Sequence, residues 1–248
     1  MKPHSVFNRW CIFIIIGLLS LTAINLQASE PTTILVVTGG HAYDTAAFEK
    51  MFDGYDQLKV DMIQQPEANK AMENGKFEDY EALVFYDMWQ DITEEQKKAF
   101  IELTEGGMGM IFLHHALVSY QEWDEFEKIL GGRYLEKGYV DDPALASDFK
   151  HDIKIKVSVL DPDHPVTKNM NDFIISDEGY SNLRVRSFVN TLLTTDHPQC
   201  ANKVAWTNKY NNSRIVYLLF GHDHKAYQDE NYQRLLSSAI EWVARKPY

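Results

Sequence analysis

The sequence predicts an α/β fold: a parallel sheet with helices on both faces, extended by extra antiparallel strands. Three observations carry this. Short apolar, β-branched runs alternate with helical segments through the first half. Ile153–Val159 (IKIKVSV) switches to strict alternation, as in a strand with one wet face. Ile215–Phe220 (IVYLLF) and an amphipathic helix over Asn231–Ala244 then return to the buried pattern.

Thr33–Thr38 (TILVVT) reads as a buried strand that ends in the tight turn Gly39-Gly40. Ala46–Phe52 is a short helix and Leu58–Ile63 a second strand. Tyr80–Tyr86 is a third strand, closed by Asp87-Met88-Trp89. Thr93, three residues before Gln96, caps a helix running to about Glu105, and Gly106-Gly107 stops it. Met110–Leu113 is a fourth buried strand that runs into His114-His115. Gln121–Leu130 is helical and ends at Gly131-Gly132. Phe173–Ile175, Thr191–Thr194 and Val204–Trp206 are further short strands. No linker or repeat divides the chain, so residues 29–248 read as one domain.

Residues 1–28 read as a secretory signal peptide: Lys2 and Arg9, then the apolar run Cys11–Leu21, then Ala28 at a cleavage point. The expected location is a periplasm or the exterior of a bacterial cell, with no membrane contact after cleavage. Of 248 residues, 24 are Lys or Arg and 36 Asp or Glu, a formal charge of −12. Loss of Lys2 and Arg9 leaves 22 against 36, or −14. No basic stripe is visible, which excludes a nucleic-acid partner. Cys200 alone remains of the two cysteines, so no internal disulfide forms; it reads as an inert buried thiol.

In an open parallel sheet, ligands bind beyond the carboxyl ends of the strands. Three such ends carry histidine: His41, His114-His115, and His222-Asp223-His224. Imidazole changes protonation near neutral pH and ligates metals. Side chains alternate along a strand, so His114 and His115 enter one site together only if the chain turns there. Ser176-Asp177-Glu178-Gly179-Tyr180, following a strand, offers acids for base or ligand duty, or else a solvated turn. Asp87 and Trp89 pair a carboxylate with a ring that suits sugar stacking. Trp123 and Trp206 are further candidates, with core packing as the competing role. Dinucleotide, Walker, G-x-S-x-G and H-E-x-x-H motifs are absent.

Several segments in chain order carry a family pattern: Val37-Thr38-Gly39-Gly40-His41, Phe112-Leu113-His114-His115-Ala116, Trp123 with Gly131-Gly132, His164-Pro165-Val166-Thr167, Ser176-Asp177-Glu178, Ala205-Trp206 and Gly221-His222-Asp223. Over residues 33–244 the chain resembles the ThuA-like (trehalose-utilisation) family. The resemblance implies a flavodoxin-like, class I glutamine amidotransferase-like fold with extra strands, and a role in sugar processing. Amidotransferases place a nucleophilic cysteine after a central strand. Here His114-His115 stand at that strand end, so glutamine hydrolysis through a thioester is not expected.

The family motifs point to His41, His115, Glu178, His222 and Asp223 as catalytic candidates. Asp87, Trp89, His114, Trp123, Tyr180 and Trp206 stand as substrate-binding candidates. The expected activity is acid–base chemistry on a sugar or keto-glycoside: hydrolysis, elimination or isomerisation. Two rival roles are a non-catalytic carbohydrate-binding module and an assembly domain. Imidazoles with a carboxylate match a zinc-like ligand set, so a divalent metal is one option, with a metal-free site the favoured one; the sequence fixes no cofactor. The partner is a small-molecule carbohydrate, and a homo-oligomer is left open.

Overall fold

A computed structural model describes residues 30–244. The signal-peptide reading of residues 1–28 lies outside the described residues. Among the described residues, no helix is long and apolar enough to cross a membrane.

The first half alternates strand and helix: β1 (Thr32–Gly39), α1 (Thr45–Phe52), β2 (Leu58–Gln64), α2 (Glu67–Glu73), β3 (Ala82–Asp87), α3 (Glu94–Glu105) and β4 (Gly109–Leu113). A 3-10 turn over His114–Val118 follows, then α4 (Asp124–Leu130) and the short β5 (Gly132–Arg133). The strand-rich middle comprises β6 (Asp148–Val159), β7 (Phe173–Ser181), β8 (Arg184–Val185), β9 (Asn190–Thr194) and β10 (Lys203–Tyr210). The chain closes with β11 (Ser213–Leu218), α5 (His224–Tyr227) and α6 (Glu230–Ala244).

Nine strands form one sheet in the order β2-β1-β3-β4-β11-β10-β9-β6-β7. The first five are parallel neighbours, and β11 to β7 pair antiparallel. The parallel order is that of flavodoxin-like sheets. The antiparallel strands extend one edge, as expected of a class I amidotransferase-like α/β fold with added strands. β5 and β8 form a separate two-stranded sheet.

The parallel strands are apolar on both faces because helices cover both. Ile34, Val36, Val84, Ile111, Phe112 and Leu218 are fully buried. Phe85 stacks on Phe112 at 4.8 Å, and Phe100 leans on Trp123 and Phe126. At α3 the Thr93 hydroxyl accepts from Gln96 N while Gln96 returns a bond to Thr93 N, the capping box the sequence predicts.

Three expectations are corrected. The helix before Gly131 begins at Asp124 rather than Gln121, because residues 121–123 turn to bring their carbonyls toward Arg133. The helix α2 is not foreseen: it is short and polar, and hides only Ala68, Asn69 and Met72. Phe173–Ile175 is the start of a nine-residue strand, so Asp177 and Glu178 sit within β7, paired to β6, and not in a turn after it.

Candidate functional site

Three strand ends and one bulge build the site. Beyond β1 the chain turns at Gly39 and Gly40, both at positive φ. A Cβ on Gly40 would lie 1.7 Å from the Met88 carbonyl oxygen, so only glycine lets the β1 and β3 ends approach this closely. That approach delivers His41 beside His115, with ring centroids 4.0 Å apart. Beyond β4 the chain turns at His114, at φ +47. Strand alternation stops there, and both adjacent imidazoles reach the same region. Beyond β11, Gly221 at φ +120 presents His222, and Asp177 accepts from Gly221 N at 2.8 Å and from His222 N at 3.0 Å. The Tyr86 hydroxyl donates to the Gly221 carbonyl and the Tyr217 hydroxyl to the His114 carbonyl, fixing these turns from beneath.

Glu178 is the hub. Its Oε2 lies 2.9 Å from His114 Nε2 and 3.3 Å from His222 Nδ1, and its Oε1 lies 2.9 Å from His151 Nδ1. The Tyr180 hydroxyl also meets His114 Nε2 at 2.9 Å. His114 is fully buried, and its Nδ1 donates to the Leu219 carbonyl. Burial alone would raise the Glu178 carboxyl, but the hydrogen bonds from His114 and His222 outweigh it and hold the group well below the usual carboxylate range. Both carboxylate oxygens are therefore occupied by imidazoles. The carboxylate is thus placed to orient the imidazoles around it.

The cleft-facing histidines divide into two kinds. His222 is bonded to Glu178, and that bond raises its pKa above the ordinary imidazole value against the opposing effect of burial. His41 and His115 are anchored on backbone carbonyls, Nδ1 of His41 on Ala42 at 2.6 Å and Nδ1 of His115 on Asp87 at 3.3 Å. Burial lowers both pKa values, well below the usual range for His115, and neighbouring imidazoles add to the effect. A carbonyl only accepts, so Nδ1 of His115 carries the proton and Nε2 a bare lone pair. That Nε2 is buried without a hydrogen-bond partner in a residue only 2% exposed.

These groups line a cleft of about 600 Å³. Its lining includes His41, Trp89, His115, His151, Glu178, Tyr180, His222 and Asp223. His114 touches the cluster from behind. Trp89, 59% exposed at φ +53, is held by its indole N–H donating to Glu136 at 2.8 Å. Asp223 lies at the rim, where its side chain caps α5 through Lys225 N.

Asp87, Trp123 and Trp206 do not reach the cleft, which corrects their sugar-binding role. Trp206 faces α4, its indole N–H donates to the Leu130 carbonyl, and its ring packs on Tyr217. Trp123 packs against Phe100 and Phe126. Asp87 points into a buried polar network, accepting from Gln65 Nε2 at 3.0 Å near Asn69 and Tyr120. Among the lining residues that sequence reasoning misses are His151 and the aromatic Phe149 beside it. Their only signal is the continuation of the alternating pattern backward from Ile153 through His151 to Phe149.

Burial pushes the Asp87 carboxyl up to about 7, with the Gln65 bond opposing. A raised folded pKa makes stability fall as pH climbs from the unfolded value toward the folded one. Asp87→Asn is therefore expected to be stabilised relative to the parent. The gain should grow by about 1.4 kcal/mol per pH unit between roughly pH 4 and 7 and then level off. Urea unfolding of both proteins at pH 5 and pH 8 measures this; an equal difference at both pH values contradicts the assignment.

His114 Nε2, Glu178 and His222 Nδ1 lie within 4.8 Å of one another, and two imidazoles with a carboxylate are donors that a zinc-like ion accepts. In this arrangement both imidazoles bond Glu178 Oε2 directly.

Comparison with known proteins places the chain. No curated protein matches it. A ThuA-like protein from Parabacteroides merdae superposes with TM-score 0.72 at 22% identity, over 87% of this chain and 90% of that one. A ThuA-like protein from Bacteroides uniformis gives 0.68 at 22% identity, over 87% and 93%. A β-galactosidase from Bacillus circulans gives 0.58 at 11% identity, over 90% of this chain and 32% of that one. These likenesses show a shared fold. The family description ThuA, trehalose utilisation, matches residues 33–243, nearly the whole of the described chain, and the chain belongs to that family.

Proposed function

We propose that the protein is an exported carbohydrate-processing enzyme that moves protons on a sugar or keto-glycoside, with His115 as base and His222 as acid. The observation that carries this is the juxtaposition in one cleft of His115, whose buried Nε2 has no hydrogen-bond partner, and His222, whose Nδ1 lies 3.3 Å from the Glu178 carboxylate. A buried unpartnered acceptor is costly unless a ligand's O–H or C–H group meets it. Groups whose surroundings push their pKa values apart divide acid and base duty between them.

On a keto sugar the carbonyl acidifies the neighbouring C–H. His115 Nε2 takes that proton, and His222 gives its own to the carbonyl oxygen or to a departing glycosidic oxygen. Return of the protons from the opposite sites completes an isomerisation; loss of the glycosidic oxygen completes an elimination. His41, neutral like His115, stands beside it as a hydroxyl acceptor. Trp89 supplies an exposed ring for a sugar face.

The test is incubation of a keto-glycoside with the protein in D2O, followed by NMR. Deuterium should enter at the carbon beside the carbonyl with the parent protein and not with His115→Gln. Saturable binding without exchange or turnover would instead favour a non-catalytic carbohydrate-binding module. Exchange that survives dialysis against a chelator would leave Glu178 to its imidazoles alone. Loss of exchange restored by zinc would assign His114, Glu178 and His222 to a metal.

A further inference from the structure

The strand β6 is irregular at one place: Lys150 pairs with Gly179 and Ile153 with Asp177. His151 and Asp152 therefore stand together opposite Glu178 alone. This is a β-bulge, a device that re-aims a side chain next to a site. Asp152 adopts positive φ at the bulge, and its carboxylate pairs with Lys225, which also lies 3.7 Å from Asp223. The bulge is thus tied to the segment that carries His222.

The consequence is a second ring on the hub carboxylate. His151 Nδ1 bonds Glu178 Oε1 at 2.9 Å, as His222 Nδ1 bonds Oε2. A carboxylate at Nδ1 fixes the tautomer and turns Nε2 outward, the arrangement that prepares histidines for contact with reacting groups. His151 is 51% exposed, lines the cleft, and its ring centroid lies 4.7 Å from that of His222. Two neighbouring rings, each anchored through Nδ1, leave two Nε2 atoms for two oxygens on adjacent carbons. Phe149, half exposed on the same strand, packs its ring at 5.0 Å from His151 and gives an apolar surface beside that pair.

We propose that His151 is a substrate-contacting specificity residue: together with His222 it grips a pair of vicinal oxygens and selects ligands that carry oxygen on the carbon next to the one His222 serves. This role rests on the sugar reading of the cleft and names which part of the sugar is recognised.

The experiment compares methyl 3-keto-glucoside with its 2-deoxy and 4-deoxy analogues in the parent and in His151→Phe and His151→Gln. In the parent, one deoxy analogue should lose about tenfold in kcat/KM. His151→Phe should lose about tenfold on the full substrate and little further on that analogue, since the contact is already missing. His151→Gln, which keeps a hydrogen-bonding group, should recover part of the loss. Equal losses by His151→Phe on all three substrates would mark a merely structural residue and overturn the proposal.

Should no turnover occur, calorimetry with methyl glucoside and its deoxy analogues reads the same contact as affinity. There the selective loss supports the role of His151 even as the catalytic reading fails. An unselective loss overturns the role of His151 while the sugar reading stands; no binding of any of these glycosides overturns both.

Discussion

His115→Gln and His222→Gln should each lower kcat on a keto-glycoside by about 10² to 10⁴-fold, the usual worth of a positioned acid or base. The two losses should differ in their pH dependence. In the parent, the base must be free of its proton and the acid must hold one. The rate should rise with pH through the lowered pKa of His115, stay level across pH 6.5, and fall through the raised pKa of His222. His115→Gln should erase the acidic limb and keep the alkaline one, and His222→Gln should do the reverse. Profiles of kcat/KM against pH for the three proteins measure this. Variants that keep both limbs, or that lose less than threefold in rate, contradict these roles. Circular dichroism of each variant confirms that the fold persists, a needed control because His115 is packed against Tyr86 as well as His41.

The second large effect concerns stability. Glu127 of α4 is 1% exposed and meets three arginines. Arg184 bonds both its oxygens, at 2.9, 3.1 and 2.6 Å; Arg186 Nε lies 2.7 Å away and Arg133 Nε 3.5 Å. Arg133, itself 5% exposed, donates from Nη1 to the Gln121 carbonyl and from Nη2 to the Trp123 carbonyl. One buried carboxylate thus draws three arginines to the seam where α4, β5 and β8 meet. Glu127→Gln leaves the buried Arg133 charge with only the solvent-exposed Asp124, 3.6 Å away, as an acidic partner. Breaking such a pair costs about 3–5 kcal/mol when both partners are buried. Arg184 and Arg186 are nearly half exposed and partly screened, so the lower end, about 3 kcal/mol, is expected. Urea unfolding at pH 7 measures the change. A loss below about 1 kcal/mol, the worth of an exposed pair, would show that water, and not Glu127, carries these charges.

The contrast between these two regions explains how far the sequence can be read. His41, His115 and His222 are legible because each ends a strand whose buried run is plain in the chain, and parallel sheets gather such ends. His114 is half legible: its neighbourhood is evident, but its entry into the cluster depends on a turn at positive φ that no local pattern demands. Glu178 is brought forward by family resemblance. Composition alone leaves it between turn and site, because its placement comes from pairing with a strand some two dozen residues earlier. His151 stays hidden for a related reason: its orientation is set by two residues opposing one across a hairpin, a property of register and not of either strand alone. Trp123 and Trp206 mislead because an aromatic ring carries the same signal in a core as on a sugar platform. Glu127 reads as an ordinary helix acid, and only the fold shows that three arginines from other segments converge on it.

Proton transfer in this cleft requires His115 and His222 to stand in opposite protonation states across it. Imidazole ¹⁵N NMR on the histidine-labelled protein at pH 6.5 reads this directly. The expected spectrum has His115 neutral, with its proton on Nδ1 and a bare Nε2, and His222 mainly imidazolium. A charged His115, or a His115 protonated at Nε2, would contradict it.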